Sequence, residues 1–247
     1  MSKVRSLMLM AGSAEANLLA EALVSLPITT RSIMSEPPRG LRAPAIEPEV
    51  KQFSDVDEMV GYLAKAGSDA VLDASHGFDG TMTSLGFLAA KKLGLPFLRI
   101  DRPGWPLPEI PRGRSAVDVA AAMSLIAPGT RVFSATGWES LPQYKGFPGE
   151  TLLLRQTRQE DRAPPFSFVE PVFGIPPFTV DSEVQLFEGM GVDLLICRNL
   201  GGRASRPKVD AAIKLGLDVI LIDRPVSPPD MLSVDSVRAA LDWVGAL

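Results

Sequence analysis

The sequence predicts an α/β protein made of two related Rossmann-like domains, each built on a parallel sheet. Short apolar runs, typical of buried strands, alternate along the chain with longer stretches that have helical periodicity. A segment of the first half also recurs in the second half, and 247 residues suffice for two domains with separate cores. We therefore expect two sheets with facing loop edges and an active site in the cleft between the domains.

Each predicted element follows from a local pattern of this kind. The apolar run 4–11 predicts a strand that ends at Gly12, and the Ala- and Leu-rich stretch 14–26 predicts the helix after it. The other strands are predicted at 27–34, 70–73, 96–100, 132–134, 151–157, 192–197 and 219–222. The other helices are predicted at 55–66, 82–93, 115–126, 181–190, 209–215 and 234–247, with a short one after Gly137.

An internal repeat supports the division into two halves. The segment 93–103 contains Leu-Gly-Leu followed by Ile-Asp-Arg-Pro, and the same residues recur at 215–225, which is 122 positions further along. The order of strand, loop, helix and strand that leads to each copy is also the same. We therefore predict an N-terminal domain over 1–115 and a C-terminal domain over 116–247.

The composition excludes several kinds of site. Cys197 is the single cysteine and His76 the single histidine, which excludes an intrachain disulfide, a cysteine zinc site and a His-rich metal site. Difficult chemistry is then expected from a bound cofactor rather than from a metal. The net charge of −4 argues against nucleic acid as the main partner. Residues 1–9 are typical of a first strand rather than a signal peptide, and no apolar run is long enough for a membrane span. The single cysteine fits a reducing compartment, so we expect a cytoplasmic protein.

The candidate site lies in the turns after predicted strands, because ligands of open parallel sheets bind beyond the carboxyl ends of the strands. The four turns with suitable residues are 12–15, 73–78, 134–139 and 198–208. None contains a GxGxxG fingerprint, so Gly12 and Gly137 fit a plain tight turn as well as a phosphate contact. The adjacent Gly201 and Gly202 are more specific, since two glycines in a row let the backbone approach a ligand closely.

Basic residues cluster near predicted strand ends although the protein is acidic overall. They are Arg39, Arg42, Arg99, Arg102, Arg112 and Arg114 in the first half, and Arg198, Arg203, Arg206, Lys208 and Arg224 in the second. Such loops are typical of a site for a polyanionic ligand, although solvated surface arginines give the same pattern. Arg155 and Arg158 lie near the end of the second strand of the second half, where a basic residue favours the 2′-phosphate of NADP.

His76 and Trp105 each have a structural and a functional interpretation. His76 follows the predicted strand 70–73, at a carboxyl edge that suits a proton donor, but a lone histidine is also common in structural roles. Trp105 can lie against a flat ligand or pin its loop to the core. The residues alone leave both questions open.

Taken in order, the motifs of this chain resemble the precorrin-6A reductases. The resemblance runs from residue 8 to about residue 226 and rests on Gly12-Ser13-Ala14-Glu15-Ala16, Asp73-Ala74-Ser75-His76, Arg99-Ile100-Asp101-Arg102-Pro103 with Trp105, Thr136-Gly137, Asn199 with Gly201-Gly202, Lys208, Ala211-Ala212, Leu215-Gly216 and Arg224-Pro225. Each motif alone is unspecific, whereas the ordered set is specific. The chain departs from the family at four positions. The family has proline where this chain has Gly77 and arginine where it has Trp138, and it has lysine and serine where this chain has Arg198 and Leu200.

The resemblance implies an NADPH-dependent oxidoreductase that transfers hydride to a C=C–C=N part of precorrin-6A and gives precorrin-6B in cobalamin biosynthesis. Its substrate is a flat tetrapyrrole with many carboxylates, which suits arginine-rich loops. We predict that the cofactor is held by Thr136, Gly137, Arg155, Arg158, Asn199, Gly201, Gly202 and Arg203. We predict that the substrate is held by Gly12, Ser13, Glu15, Ser75, His76, Arg102, Trp105 and Lys208. The opposite assignment, with NADPH in the first half, stays open, and so does bound water in place of His76 as the proton donor.

Two functions of other classes also fit the residues. One is a non-catalytic two-lobed protein that closes on an anionic ligand, and the other is a nucleotide-dependent transferase such as a methyltransferase. A preference for NADPH over NADH, and oxidation of NADPH by precorrin-6A, distinguish the reductase from both. Transfer of the substrate to neighbouring enzymes of the pathway is a further expectation, and the sequence leaves a metal-free or a cobalt-containing macrocycle open.

Overall fold

The computed structural model describes residues 5–38, 43–109, 112–159 and 161–247, so Arg39 and Arg42 lie outside the described residues. In chain order, the strands are β1 (Ser6–Met10), β2 (Thr29–Met34), β3 (Pro48–Val50), β4 (Ala70–Asp73), β5 (Phe97–Ile100), β6 (Gly113–Ala116), β7 (Arg131–Ala135), β8 (Thr151–Gln156), β9 (Val169–Phe173), β10 (Leu194–Arg198), β11 (Asp218–Ile222) and β12 (Ser233–Val234). The α-helices are α1 (Ala14–Leu23), α2 (Val56–Ala66), α3 (Gly80–Leu93), α4 (Val119–Met123), α5 (Val180–Met190), α6 (Pro207–Leu215) and α7 (Val237–Ala246), and a 3₁₀ helix covers Trp138–Tyr144.

These elements form two compact units. The first unit consists of Met1–Pro103 and Pro225–Leu247, and the second of Gly104–Arg224. Within the described residues, each unit holds a sheet of six parallel strands, which confirms the predicted α/β fold. None of the helices in these ranges is both long enough and apolar enough to cross a membrane.

Both sheets have the strand order of a dinucleotide-binding fold. The first sheet is ordered β3-β2-β1-β4-β5-β12, and the second is ordered β9-β8-β7-β10-β11-β6. Strands β1 to β5 of the first sheet and β7 to β11 of the second therefore occupy equivalent positions. Numbered along the chain within each sheet, these strands have the spatial order 3-2-1-4-5 of a Rossmann sheet. The sixth place is filled from the other half of the sequence, since β6 follows β5 but pairs with β11, and β12 follows β11 but pairs with β5.

This exchange of edge strands corrects the predicted domain boundary between residues 115 and 116. β6 sets Gly113 beside Val219, so the chain before residue 116 already belongs to the second unit. At the other end, α7 places Ala240 and Val244 in the core that β1 forms with α1. The C-terminal segment therefore belongs to the first unit rather than to a C-terminal domain.

Most predicted elements are present with bounds shifted by a few residues. The strand predicted at 70–73 has those bounds as β4. The helix predicted at 115–126 is wrong at its start, because β6 includes residues 115 and 116 and α4 covers only Val119–Met123. The short strands β3, β9 and β12 were not predicted.

The central strand β1 is buried on both faces, which explains its unbroken apolar run. Its side chains alternate, so that Leu7 and Leu9 pack with α1 and α7 whereas Met8 and Met10 pack with α2 and α3. All four side chains are fully buried. Two helix layers thus hold the sheet, and its carboxyl edge presents the turns described below.

Two side-chain hydrogen bonds cap the start of helix α2, and the one accepted by Glu58 makes a pH-dependent contribution to the free energy of unfolding. Asp55 accepts a hydrogen bond from the N–H of Glu58 at 2.9 Å, and Oε2 of Glu58 accepts one from the N–H of Ser54 at 2.9 Å. The Ser54 N–H, followed by the Lys51 ammonium, lowers the pKa of Glu58 from its ordinary 4.5 to about 2. A carboxylate with a lowered folded pKa stabilises the fold above its unfolded pKa, and this contribution is lost as the pH falls through the folded pKa.

We expect Glu58→Gln to lower the free energy of unfolding at neutral pH, and the difference from the parent protein to shrink as the pH falls from 4.5 towards 2. Urea unfolding at a series of pH values measures this difference. Glu170→Gln is the control, because Glu170 is exposed and makes no side-chain hydrogen bond within the described residues. A difference that stays constant over this pH range would contradict the prediction.

Candidate active site

In the first unit, the predicted turns 12–15 and 73–78 meet at the carboxyl ends of two neighbouring strands. After one of these strands the chain continues towards one edge of the sheet, and after the other it continues towards the opposite edge. The strands are β1 and β4, and this arrangement creates the crevice in which such sheets bind ligands. The Ser13 hydroxyl donates to the carbonyl of Ala74 at 2.7 Å and accepts from the N–H of Ala16 at 3.2 Å, which caps α1. Gly12 has a φ of 148°, and a Cβ there would lie 2.8 Å from the backbone nitrogen of His76. Glycine is therefore required for the two turns to approach this closely.

A buried polar network supports the turn after β4. Asp73 and Arg99 form an ion pair of 2.5 Å between side chains that are 0% and 6% exposed. Asp73 also accepts from the N–H of Ser75 at 2.9 Å, and Arg99 donates to the Thr83 hydroxyl. The Ser75 hydroxyl lies 3.2 Å from that of Thr83, so Ser75 itself is an internal part of the turn. Arg99 neutralises a buried carboxylate, and its prediction as a loop arginine for a polyanion is wrong.

His76 lies half-buried in this turn. Its Nδ1 accepts a hydrogen bond from the N–H of Phe78 at 3.2 Å. A ring nitrogen that accepts a hydrogen bond carries no proton, so the neutral imidazole has its proton on Nε2. The backbone thereby selects the tautomer in which Nε2 is the donor.

Arg102 and Glu15 form an ion pair through Nη1 and Oε2. Their side chains are 21% and 20% exposed, and Glu15 belongs to the first turn of α1. Two predicted substrate residues are thus brought together, and Glu15 orients the Arg102 guanidinium.

A cavity of about 150 Å³ lies beside the Gly12 turn. Ser13, Asn17 and Ser32 supply polar lining, and residues such as Met34 and Ile46 supply apolar lining. Its described lining contains no charged side chain, so the cavity suits a neutral ring or an apolar group rather than a carboxylate. In the described part of the chain, no group of three or more His, Cys, Asp or Glu residues is arranged to hold a metal ion.

In the second unit, the glycine-rich turn follows β10 and lies beside the turn after β7, because these strands are neighbours. Gly201 and Gly202 have φ values of 65° and 67°. Other residues adopt this left-handed backbone at a cost of roughly 1–2 kcal/mol each. The N–H groups of both glycines make no hydrogen bond within the described residues, so they can bind an anion.

Asn199 and Trp105 are bonded to each other rather than open to a ligand. Oδ1 of Asn199 accepts from the N–H of Trp105 at 2.7 Å, and its Nδ2 donates to the carbonyl of Trp105 at 3.1 Å. The Trp105 residue is 8% exposed and packs in the core of the second unit. Trp105 therefore pins its loop to the core, and the prediction that it lies against the substrate is wrong.

Two more of the predicted cofactor residues have internal partners. Thr136 is 1% exposed, and its hydroxyl lies 2.7 Å from that of Ser140 and 2.8 Å from that of Ser134. Nη2 of Arg155 donates to both carboxylate oxygens of Glu183, at 2.9 and 2.7 Å. Burial raises the pKa of Glu183, and the positive charge of Arg155 opposes this rise. The predicted contact of Arg155 with a 2′-phosphate is wrong, because that contact would leave a buried carboxylate unpaired.

Three other predicted basic residues occupy the same edge of the second unit. Arg158 follows the end of β8, is exposed, and has no polar side-chain partner within the described residues. Arg203 is exposed in the glycine-rich turn. Nζ of Lys208, in the first turn of α6, donates to the carbonyl of Ser205 at 2.5 Å, and burial lowers the pKa of this amine. Arg158 and Arg203 are thus open to an anion, whereas Lys208 holds the end of the turn.

Thr83 and Glu183 organise these two edges, and the sequence analysis did not identify them. Both are polar residues on the buried faces of helices, and each is at most 2% exposed. Helical spacing could have identified Glu183. It stands four residues before the buried Phe187, so both residues lie on the same, buried face of the helix. A carboxylate at such a position requires a buried cation, and this reasoning leads to the role of Arg155.

The chain is similar over nearly its whole length to one kind of reductase. The family model described as Precorrin-6x reductase CbiJ/CobK matches residues 6–245. A precorrin-6A reductase of Rhodococcus erythropolis is 31% identical over 98% of each chain, and one of Mycobacterium tuberculosis is 30% identical over 97% of each chain. A solved structure described as CobK precorrin-6A reductase matches with a TM-score of 0.88 and 26% identity, covering 98% of this chain and 96% of that one.

Proposed function

The chain belongs to the precorrin-6x reductase family, and we propose that it uses NADPH bound at the carboxyl edge of the second sheet. Its reaction is the reduction of precorrin-6A, an oxidoreductase step of cobalamin biosynthesis. When bound, NADPH supplies hydride to the C=C–C=N part of the macrocycle. The residues of this chain orient the two molecules and deliver the accompanying proton.

The observation that carries the cofactor assignment is the pair of unbonded amides of Gly201 and Gly202. They lie at the crevice between β7 and β10, which is where sheets of this order bind the pyrophosphate of a dinucleotide. The backbone of Gly137 is accessible at the adjacent turn, since a Cβ there would meet no atom within 4 Å. The exposed Arg203 adds positive charge beside the amides.

Arg158 is the residue that we propose for the 2′-phosphate of NADPH. It follows β8, the second strand of the nucleotide-binding order, where a cation favours NADPH over NADH. Loss of a charge-assisted hydrogen bond should make Arg158→Ala raise the KM for NADPH by about 10- to 100-fold, with less than about a twofold change for NADH. Steady-state oxidation of both cofactors with precorrin-6A measures this preference.

Lys145→Ala is the matched control for Arg158→Ala. Lys145 is also an exposed cation of the second unit, but it precedes β8, whereas Arg158 follows that strand. We expect it to change neither KM. An equal rise of both KM values in Arg158→Ala would contradict a contact with the 2′-phosphate.

One observation favours the opposite assignment, in which the nucleotide binds the first unit. The cavity beside Gly12 suits a neutral ring, and α1 begins at this turn as the first helix of a dinucleotide fold does. Under this assignment Gly12→Ala weakens NADPH binding and Arg158→Ala does not. Titration of both variants with NADPH, without substrate, decides between the two assignments.

We assign the macrocycle to the turns of the first unit that contain Gly12, Ser13, Ser75 and His76. Arg102, oriented by Glu15, is the proposed partner of a substrate carboxylate. Lys208, also predicted as a substrate residue, instead donates to the carbonyl of Ser205 at the end of the glycine-rich turn. His76 is the proposed proton donor: as the imidazolium it would give up its Nε2 proton and keep the other on Nδ1, which requires the hydrogen bond from the Phe78 N–H to open, and bound water is the alternative. Transfer of the substrate to neighbouring enzymes stays a prediction.

A further inference from the structure

Three hydrogen bonds of the described residues join the start of the second unit to its glycine-rich turn. Two connect the side chain of Asn199 with the backbone N–H and carbonyl of Trp105, at 2.7 and 3.1 Å. In the third, Nε1 of Trp105 donates to the carbonyl of Gly202 at 2.7 Å. Trp105 and Asn199 are 94 residues apart in sequence, so these bonds form only in the folded unit.

The bond to Gly202 fixes the direction of a peptide group in the turn. In a trans peptide, the carbonyl and the following N–H point in opposite directions. Since the Gly202 carbonyl points to the buried indole, the N–H of Arg203 points away from it. Glycine has the freest backbone of all residues, so an outside contact is needed to hold this peptide in one orientation.

The surroundings of Trp105 leave its ring no space for a ligand. The guanidinium of Arg206 lies over the ring, 5.9 Å from its centroid, and pairs with Asp210 at 2.7 Å. The Trp105 residue is only 8% exposed, and at the preceding residue a Cβ on Gly104 would lie 3.2 Å from Nδ2 of Asn199, so the loop backbone lies close to that amide. The contacts of Trp105 therefore serve the turn and not a bound molecule.

We propose that Trp105 and Asn199 are positioning residues, which hold the amides of residues 201–203 in the orientation that receives the pyrophosphate of NADPH. This inference rests on the proposed function of the second unit. Neither side chain touches the cofactor, because both act through the backbone of the turn. Their loss should weaken NADPH binding and leave the chemical step unchanged once the cofactor is saturating.

The test uses Trp105→Phe, which keeps a buried aromatic ring and removes the indole N–H. We expect the Kd of NADPH, titrated with the full-length protein, to rise about tenfold, and kcat at saturating NADPH to stay within about twofold. Asn199→Ala should act in the same way. The double variant should be impaired less than the product of the two effects, because both changes release one turn. Trp243→Phe, on α7 of the first unit, is the matched control and should leave the Kd unchanged.

Gly202→Ala separates this inference from the proposed function. Its φ of 67° strains alanine, so this variant should weaken NADPH binding wherever the turn holds the cofactor. If Gly202→Ala weakens binding and Trp105→Phe and Asn199→Ala do not, the positioning role is overturned and the proposed site stands. If none of the three weakens binding, the cofactor site itself is overturned. Thermal unfolding verifies that each variant is folded. If Asn199→Ala does not fold, Asn199→Ser, which keeps a smaller polar side chain, is used in its place.

Discussion

Arg99→Leu should lower the free energy of unfolding by about 3–5 kcal/mol, because it leaves the Asp73 carboxylate as an unpaired charge inside the first unit. The side chains of this ion pair are 6% and 0% exposed, so water cannot replace the guanidinium. Urea unfolding at neutral pH, with the parent protein in parallel, measures the loss. The catalytic rate should fall as well, since Asp73 also holds the N–H of Ser75 next to His76.

An exposed ion pair provides the control for Arg99→Leu. Lys214 and Asp181 are 59% and 83% exposed, so Lys214→Met should change the free energy of unfolding by less than about 1 kcal/mol. Adding Asp73→Asn to Arg99→Leu should recover part of the loss, because no charge is then buried without a partner. A loss in Arg99→Leu as small as that in Lys214→Met would show that the buried pair does not stabilise the fold as argued.

The parts of the fold that could be predicted are those whose signal lies in their own residues. β1 and β4 are buried on both faces, so residues 7–10 and 70–72 are continuous apolar runs. Helix α2 carries its own start and stop signals, with Asp55 as N-cap and Gly67 in the left-handed C-cap position. Bounds of these elements differ from the predicted ones by a few residues at most.

The exchanged edge strands could not be predicted, because hydrogen bonding to a partner strand, rather than a pattern in their own residues, determines that these segments are strands. β6 reads Gly-Arg-Ser-Ala and β12 has two residues, so neither has an apolar pattern. Their hydrogen bonds to β11 and β5 join segments that are distant in sequence. The repeat of 93–103 at 215–225 indicated two equivalent halves, but it contains no information on which sheet takes the next strand.

The same distinction between local and distant signals holds for the candidate site. Gly12, Gly201 and Gly202 could be identified because a close turn requires glycine whatever surrounds it. The interpretations of Trp105 and Arg155 failed because their roles are set by residues elsewhere in the chain. Asn199 is 94 positions from Trp105 and Glu183 is 28 positions from Arg155, so no local pattern shows that either is already engaged.

His76→Gln should lower kcat by about 100-fold or more, and leave the Kd of NADPH unchanged, if His76 donates the proton that accompanies the hydride. Glutamine keeps a polar N–H of similar reach but cannot release a proton at neutral pH. Steady-state rates with precorrin-6A and saturating NADPH, measured across the pH range in which histidine titrates, give kcat and its pH dependence. If bound water supplies the proton, the loss should stay below about threefold.

The composition of the chain makes this proposal testable without a variant. His76 is the single histidine, so a reagent that acylates imidazole modifies one such ring and should reproduce the loss of kcat. Nitrogen NMR of the same ring is equally unambiguous. Because the N–H of Phe78 donates to Nδ1, the spectrum of the neutral form should show the proton on Nε2. A proton found on Nδ1 of the neutral form would show that the hydrogen bond from the Phe78 N–H is not made.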